Sequence, residues 1–160
     1  VLFLFVKMAN VKDFKWRESM KVSDLMTSKV ETIGMDTILS DVWKIFKQHR
    51  FHHLPVVDEN QKLIGMISDR DVLFNISPRV ESGNATVAEI EVLRKPAHQF
   101  MSRGPLTVYP NTSATRALRN IIENGVSCLP VVDDESNLLG ILTWRDVIKF
   151  VLERAEQAEG

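Results

Sequence analysis

The sequence predicts a mixed α/β (α+β) protein built from two β-α-β-β-α repeats packed with pseudo-twofold symmetry. Internal repetition comes first, because a fixed period outranks any single local signal. The run Leu54-Pro55-Val56-Val57-Asp58 returns as Leu129-Pro130-Val131-Val132-Asp133, a period of 75. Without a gap, the same offset pairs Met26 with Met101, Thr37 with Thr112, Gly65 with Gly140, Arg70 with Arg145, Asp71 with Asp146 and Val72 with Val147. Second, each copy carries two apolar runs flanking a polar turn, the signature of a hairpin. Third, each hairpin is preceded by apolar residues at helical spacing.

Each repeat opens on a short extended segment, Val30–Ile33 or Leu106–Val108. Asp36-Thr37 and Asn111-Thr112 follow as cap candidates, since such side chains accept bonds from free helix N–H groups. Ile38, Val42, Ile45 and Phe46 then share one helical face, matched by Ala114, Ala117, Leu118, Ile121 and Ile122. Gly125 ends the second helix, where the first repeat has Arg50. Hairpin strands Leu54–Val57 and Leu63–Ile67 flank Asp58-Glu59-Asn60-Gln61, and Leu129–Val132 and Leu138–Leu142 flank the second turn. Near-continuous apolar strands imply burial on both faces. Further helices begin near Ser68 and Thr143, the latter running from Trp144 to about Gln157 with an apolar face long enough to serve a partner subunit as well as the core.

The organisation is an extension over residues 1–19, a first repeat over 20–78, a linker with a short helix over 79–95, a second repeat over 96–152, and a helix end and tail over 153–160. In the linker, Thr86-x-x-Glu89 has the form of a capping box. Residues 1–19 are expected to lie outside the main fold, as an upstream start or an accessory helix. Val1–Val6 is an apolar run far short of the roughly 20 residues of a membrane span. The chain has 160 residues, 44% of them apolar, and a net charge of −1. Length alone lets it bury roughly two-thirds of its unfolded surface. Balanced charge argues against nucleic acid as the main partner. A single cysteine, Cys128, excludes an internal disulfide framework and fits a cytoplasmic protein.

The chemistry concentrates in Gly65-Met66-Ile67-Ser68-Asp69-Arg70-Asp71 and its copy Gly140-Ile141-Leu142-Thr143-Trp144-Arg145-Asp146. A strand runs there into a helix N-terminus, where a hydroxyl and free N–H groups can hold an anion. A carboxylate one turn later can accept two hydrogen bonds from a vicinal diol such as a ribose. Glycine lets a ligand or another backbone approach closely. Equally, Ser-x-x-Asp is a capping box in which the carboxylate serves its own helix. The residues alone leave both readings open.

Across about residues 20–152 the pattern resembles tandem CBS-domain proteins, or Bateman modules. Leu54–Asp58 with Gly65–Val72, and Leu129–Asp133 with Gly140–Val147, carry the resemblance, supported by the openings Ser23-Asp24-Leu25-Met26 and Gln99-Phe100-Met101-Ser102. It implies a disc-like pair of repeats with clefts between the sheets, and often a homodimer of such pairs. It also implies an adenosine-type ligand: AMP, ADP, ATP or S-adenosylmethionine. By the same resemblance Ser68 and Thr143 contact phosphate and Asp71 and Asp146 contact ribose. His49 and Arg50 resemble a phosphate-contacting stretch, with Asn124-Gly125 in their place in the second repeat. His52 falls where related modules place ligand-lining groups, and Thr32 with its counterpart Thr107 completes the ligand-binding set.

Other readings of these residues are weaker. Arg70 and Arg145 fit structural ion pairs near the helix starts. His49, His52 and His53 invite a metal, but adjoining strand residues point to opposite faces and no Cys or carboxylate stands at helical ligand spacing beside them. Cys128 at a strand start reads as a small buried residue. No phosphate-binding glycine loop, carboxylate pair or metalloprotease helix is present. The expected function is therefore a regulatory module for an adenosine nucleotide, needing no cofactor and not an enzyme, acting on an unidentified regulated protein. The competing expectations are a structural or interaction module with empty clefts and, less favoured, an uncharacterised enzyme.

Overall fold

The structure, a computed structural model, describes residues 20–159; the expected N-terminal extension lies outside them. The first repeat runs β1 (Ile33–Gly34), α1 (Leu39–Gln48), β2 (His53–Val57), β3 (Leu63–Ser68) and α2 (Asp69–Asn75). The linker holds α3 (Val87–Leu93), capped by the reciprocal Thr86–Glu89 box. The second repeat contributes β4 (Ser102–Arg103), α4 (Ala114–Asn124), β5 (Cys128–Val132), β6 (Leu138–Thr143) and α5 (Trp144–Glu159). One sheet has the order β1-β2-β3-β4, with β1 parallel to β2 and the other pairs antiparallel; the other sheet is the β5-β6 hairpin. Among the described residues no helix is long and apolar enough to cross a membrane.

The two repeats exchange their openings. β4 precedes the second repeat's helix in sequence, yet it pairs with β3 of the first, Ser102 opposite Met66. At the equivalent place Thr27 of the first repeat bridges Ile141 of the second, with both N–H···O bonds at 2.9 Å. The exchange continues upstream. The Val22 N–H donates to the Thr112 carbonyl (2.9 Å) and the Ala97 N–H to the Thr37 carbonyl (2.8 Å). Each core is accordingly completed by the other repeat. Ala97 is buried with Ile33, Leu39, Val42, Leu54 and Ile67, while Val22 is buried with Val108, Ala117, Leu129 and Leu142. A third cluster of Met66, Cys128 and Ile141 lies on the seam, where Met66 and Ile141 are related by the repeat.

The aspartates ending the repeated Leu-Pro-Val-Val-Asp runs shape the hairpin turns. Asp58 Oδ1 accepts the N–H groups of Asn60 and Lys62, and Asp133 Oδ1 those of Glu135 and Asn137. Such local bonds replace the ladder where the chain reverses. Gln61 (φ 63°) and Ser136 (φ 69°) take the left-handed conformation there. The turns meet at the pseudo-twofold, the Leu63 N–H donating to the Ser136 carbonyl and the Leu138 N–H to the Gln61 carbonyl.

Local details depart from expectation for physical reasons. The first strand of the second repeat shrinks to one parallel bridge, Val108 with Val131. Pro110 stands where Met35 stands in the first repeat and has no N–H with which to continue a ladder. The helix caps sit later than Asp36-Thr37 and Asn111-Thr112. Ser113 caps α4 by accepting the Arg116 N–H, and Ile38 precedes α1 without a side-chain bond. The Leu39 N–H is instead satisfied by the Lys95 carbonyl of the exchanged segment. Leu39 is thereby buried and Ile38 exposed, and Ile122 also faces outward. Gly125 ends α4 in the left-handed conformation (φ 63°), as its place in the sequence requires.

Gly65 and Gly140 permit the exchange. A Cβ on Gly65 would stand 2.5 Å from Met101 Sδ and 3.0 Å from the Ser102 carbonyl oxygen; one on Gly140 would stand 2.8 Å from the Thr27 carbonyl oxygen. Gly65→Ala and Gly140→Ala should each lower stability in urea by about 1–3 kcal/mol through overpacking. Gly140 should be the worse, because a backbone oxygen cannot swing aside, while Gly34→Ala, with only Thr37 Oγ1 at 4.0 Å, should be nearly silent. The seam also sets the reactivity of Cys128. Burial pushes its thiol up from 9.0 to about 12, so the native thiolate fraction at pH 8 should be about a thousandfold below that of an unshifted thiol. Iodoacetamide should modify the native chain correspondingly slowly and the urea-unfolded chain at the ordinary rate.

Candidate functional site

Both repeated strand-to-helix motifs form capping boxes. At α2, Ser68 donates through its N–H (2.8 Å) and its hydroxyl (2.6 Å) to Asp71 Oδ2, and the Asp71 N–H returns to Ser68 Oγ. At α5, Thr143 donates through its N–H (2.7 Å) and hydroxyl (2.6 Å) to Asp146 Oδ2. Asp146 has a further donor, the Thr27 hydroxyl, 3.0 Å from its Oδ1. The second motif is thus tied to the exchanged opening of the first repeat.

Beside this second motif lies a cleft of about 370 Å³ on the seam between the repeats. It brings together Thr143 and Asp146 from one repeat and His49, Arg50 and His52 from the other. Ser68 and Asp71 do not line it. Thr32 lines a separate, open depression of about 600 Å³ beside the Asp58–Gln61 turn, and Thr107 lines neither. The His49–His53 run reaches the cleft because α1 stops at Gln48 and His49 turns extended (φ −122°, ψ 161°). His49 stacks on Phe51, ring centroids 5.1 Å apart, and Phe51 meets Phe46 edge-on at 6.1 Å. The run is therefore anchored to the first core through an aromatic ladder.

Several lining groups lay outside the sequence-based set. Lys29 and Glu31 arrive with the exchanged opening, and Ser127 and Arg145 with the second repeat, beside Trp144, whose place inside the repeated motif already made it a candidate to line a cleft. Arg145 makes no ion pair among the described residues, contrary to the expectation for it. It crosses the seam, Nη1 donating to the Arg50 carbonyl (3.2 Å) and Nη2 lying 3.2 Å from His52 Nε2, with its guanidinium carbon 5.7 Å from the Trp144 ring. His52 Nδ1 lies 2.7 Å from Asp69 Oδ2. His53 Nε2 lies 3.0 Å from Ser127 Oγ, and burial holds the His53 imidazole below its usual pKa.

The cleft therefore combines a basic rim (Lys29, Arg50, Arg145), flat or apolar walls (Phe51, Trp144, Val30, Ile141) and a hydroxyl–carboxylate pair. Guanidinium groups match phosphate with paired donors, aromatic faces suit a planar base, and a carboxylate suits a diol. Among the described residues no group of three or more His, Cys, Asp or Glu side chains is placed to hold a metal ion.

Comparison with known proteins places this architecture. The sequence matches the CBS domain family model over residues 22–78 and 97–153. It is 35% identical over 136 residues to an uncharacterised protein of Methanocaldococcus jannaschii, a match covering 85% of this chain and 46% of that one. It is 31% identical over 136 residues to a CBS domain-containing protein of Dictyostelium discoideum, covering 84% and 93%. The chain thus spans less than half of the first relative and nearly all of the second. Among solved structures it is similar to CBSX2 of Arabidopsis thaliana in complex with AMP, at a TM-score of 0.72 and 28% identity, covering 85% of this chain and 98% of that one. Two matched repeats that complete each other's cores make this chain a member of the CBS-domain family, organised as a CBS pair.

Proposed function

We propose that this CBS pair is a non-catalytic regulatory module, cytoplasmic and homodimeric, that binds an adenosine nucleotide in the cleft between Thr143, Asp146 and the His49–His52 run. One observation carries the reading: basic, aromatic, hydroxyl and carboxylate groups from both repeats converge on a single cleft. The AMP complex of CBSX2 supports it. In this reading Arg50 meets phosphate, Thr143 assists it, Asp146 meets ribose and Trp144 meets the base. Occupancy is transmitted only insofar as the ligand favours one arrangement of the seam over another. The first repeat's Ser68 and Asp71, away from this cleft, act mainly as a helix cap, so the two motifs are unequal.

Thermal-shift measurements with AMP, ADP, ATP, NAD and S-adenosylmethionine test this. A true ligand at 100 times its Kd should add about 2.7 kcal/mol of apparent stability. Asp146→Asn should weaken binding by about 1.5–3 kcal/mol, the worth of a charged hydrogen bond, whereas Asp71→Asn should cost the apo protein about 0.5–2 kcal/mol as a lost cap and leave affinity in this cleft unchanged. Arg50→Ala should hurt AMP far more than adenosine. Because both carboxylates already serve their own helices, the rival reading is an interaction module with empty clefts. Absence of a shift with any nucleotide would favour it.

The homodimer rests on exposed apolar side chains. Ile148 and Leu152 on α5 and Leu73 and Phe74 on α2 are exposed, Phe74 by 89%. Light scattering should give twice the chain mass at micromolar concentration, and Phe74→Glu should halve it.

A further inference from the structure

We infer that Asp69, His52 and Arg145 form a proton-linked latch across the seam, and that an anionic ligand entering the cleft releases it with uptake of one proton by His52. This inference rests on the nucleotide reading of the cleft and specifies how that site is regulated. Asp69 opens α2, within the first repeat's motif, and Arg145 lies in the first turn of α5, within the second's. One imidazole joins them, with Nδ1 2.7 Å from Asp69 Oδ2 and Nε2 3.2 Å from Arg145 Nη2. A guanidinium only donates, so Nε2 must accept. The ring then carries its single hydrogen on Nδ1, which donates to Asp69. The latched imidazole is therefore neutral.

Protonation leaves Nε2 without a lone pair and turns the Arg145 contact into a repulsion between two cations, while the bond to Asp69 becomes an ion pair. An anion works from the other end. Its oxygens compete with His52 Nε2 and the Arg50 carbonyl for the guanidinium, and a charge-assisted bond is the stronger. Once Arg145 turns to the anion, His52 is left between Asp69 and a second negative group and takes a proton from solvent. The other ionisable groups at this end of the cleft are Lys29, Arg50, His49 and, on α2, Arg70, which oppose the uptake when charged, and Glu31, Asp146 and, on α2, Asp71, which favour it; burial holds His53 below its usual pKa. Among the described residues the device exists once. The repeat places Ser127 where Arg145 meets His52, and serine does not titrate.

Calorimetric titration of the full chain with AMP at pH 7.5, in two non-phosphate buffers of unequal protonation enthalpy, measures the proton count. The wild type should show net proton uptake on binding AMP. His52→Gln should lose most of that uptake, whatever it does to affinity, while His98→Gln, outside the cleft, keeps it. A wild type that binds AMP without uptake, or a His52→Gln variant with undiminished uptake, would overturn the latch. A second arm needs no ligand. Nitrogen-15 NMR of the free chain at pH 8 should show His52 as the Nδ1–H tautomer. On acidification the Trp144 indole resonance should shift with the His52 midpoint in the wild type and not in His52→Gln. An Nε2–H tautomer, or a Trp144 titration unchanged in His52→Gln, refutes the latch even if AMP binds. If AMP does not bind, the nucleotide reading fails and this ligand-free arm decides the latch alone.

Discussion

The close approach of each repeat's opening to the other repeat's second hairpin strand is the constraint on which the rest depends. Gly65 and Gly140 face the exchanged backbone where any side chain would collide with it. From that contact follow the fourth strand of one sheet, the Thr27–Ile141 bridge, and the burial of Ala97 and Val22 in cores that are not their own. Neither repeat has a complete core without the other, so the stable unit is the pair. A single repeat of roughly 55 residues would be marginal on surface-to-volume grounds alone.

The same exchange creates the candidate site. It carries Thr27, Lys29 and Glu31 to the second repeat's motif and turns the seam into a cleft with walls from both halves. Symmetry then yields to sequence. All five positions from His49 to His53 differ from their equivalents, among them Arg50 against Gly125, His52 against Ser127 and His53 against Cys128. In these three the first repeat supplies a basic group and the second a small one. Because α4 ends on a left-handed glycine and α1 does not, the chain after α1 is free to present a His-Arg-Phe-His run. The fold is pseudo-symmetric and its chemistry is one-sided.

Much of this was legible beforehand. Periodicity revealed the repeats, apolar runs around Asp58 and Asp133 the hairpins, Gly125 a helix end, and Thr86 with Glu89 a capped linker helix. These are local signals, and local physics decides them. The exchange was not legible, because pairing of Ser102 with Met66, or Thr27 with Ile141, leaves no mark within either repeat. In sequence the motif glycines offer room for a ligand or a backbone alike, and only three dimensions show the backbone. Arg145 fits a local ion pair in sequence for the same reason, since its partners, His52 and the Arg50 carbonyl, stand more than ninety positions away.

Capping and binding need not compete at Asp146. Its Oδ2 holds the start of α5, while its Oδ1 meets the Thr27 hydroxyl from the exchanged opening. A diol that reaches this carboxylate therefore meets an oxygen already shared with the segment that locks the two repeats together. Asp71, in the first repeat, has no corresponding bond to the second repeat's opening among the described residues. The second motif is thus joined to the other repeat through Thr27 as well as Arg145, and the first through Asp69 and His52. A regulatory module needs its ligand to touch something that can differ between two states, and at Asp146 such a contact would reach, through Thr27, the segment that the first repeat has lent to the second.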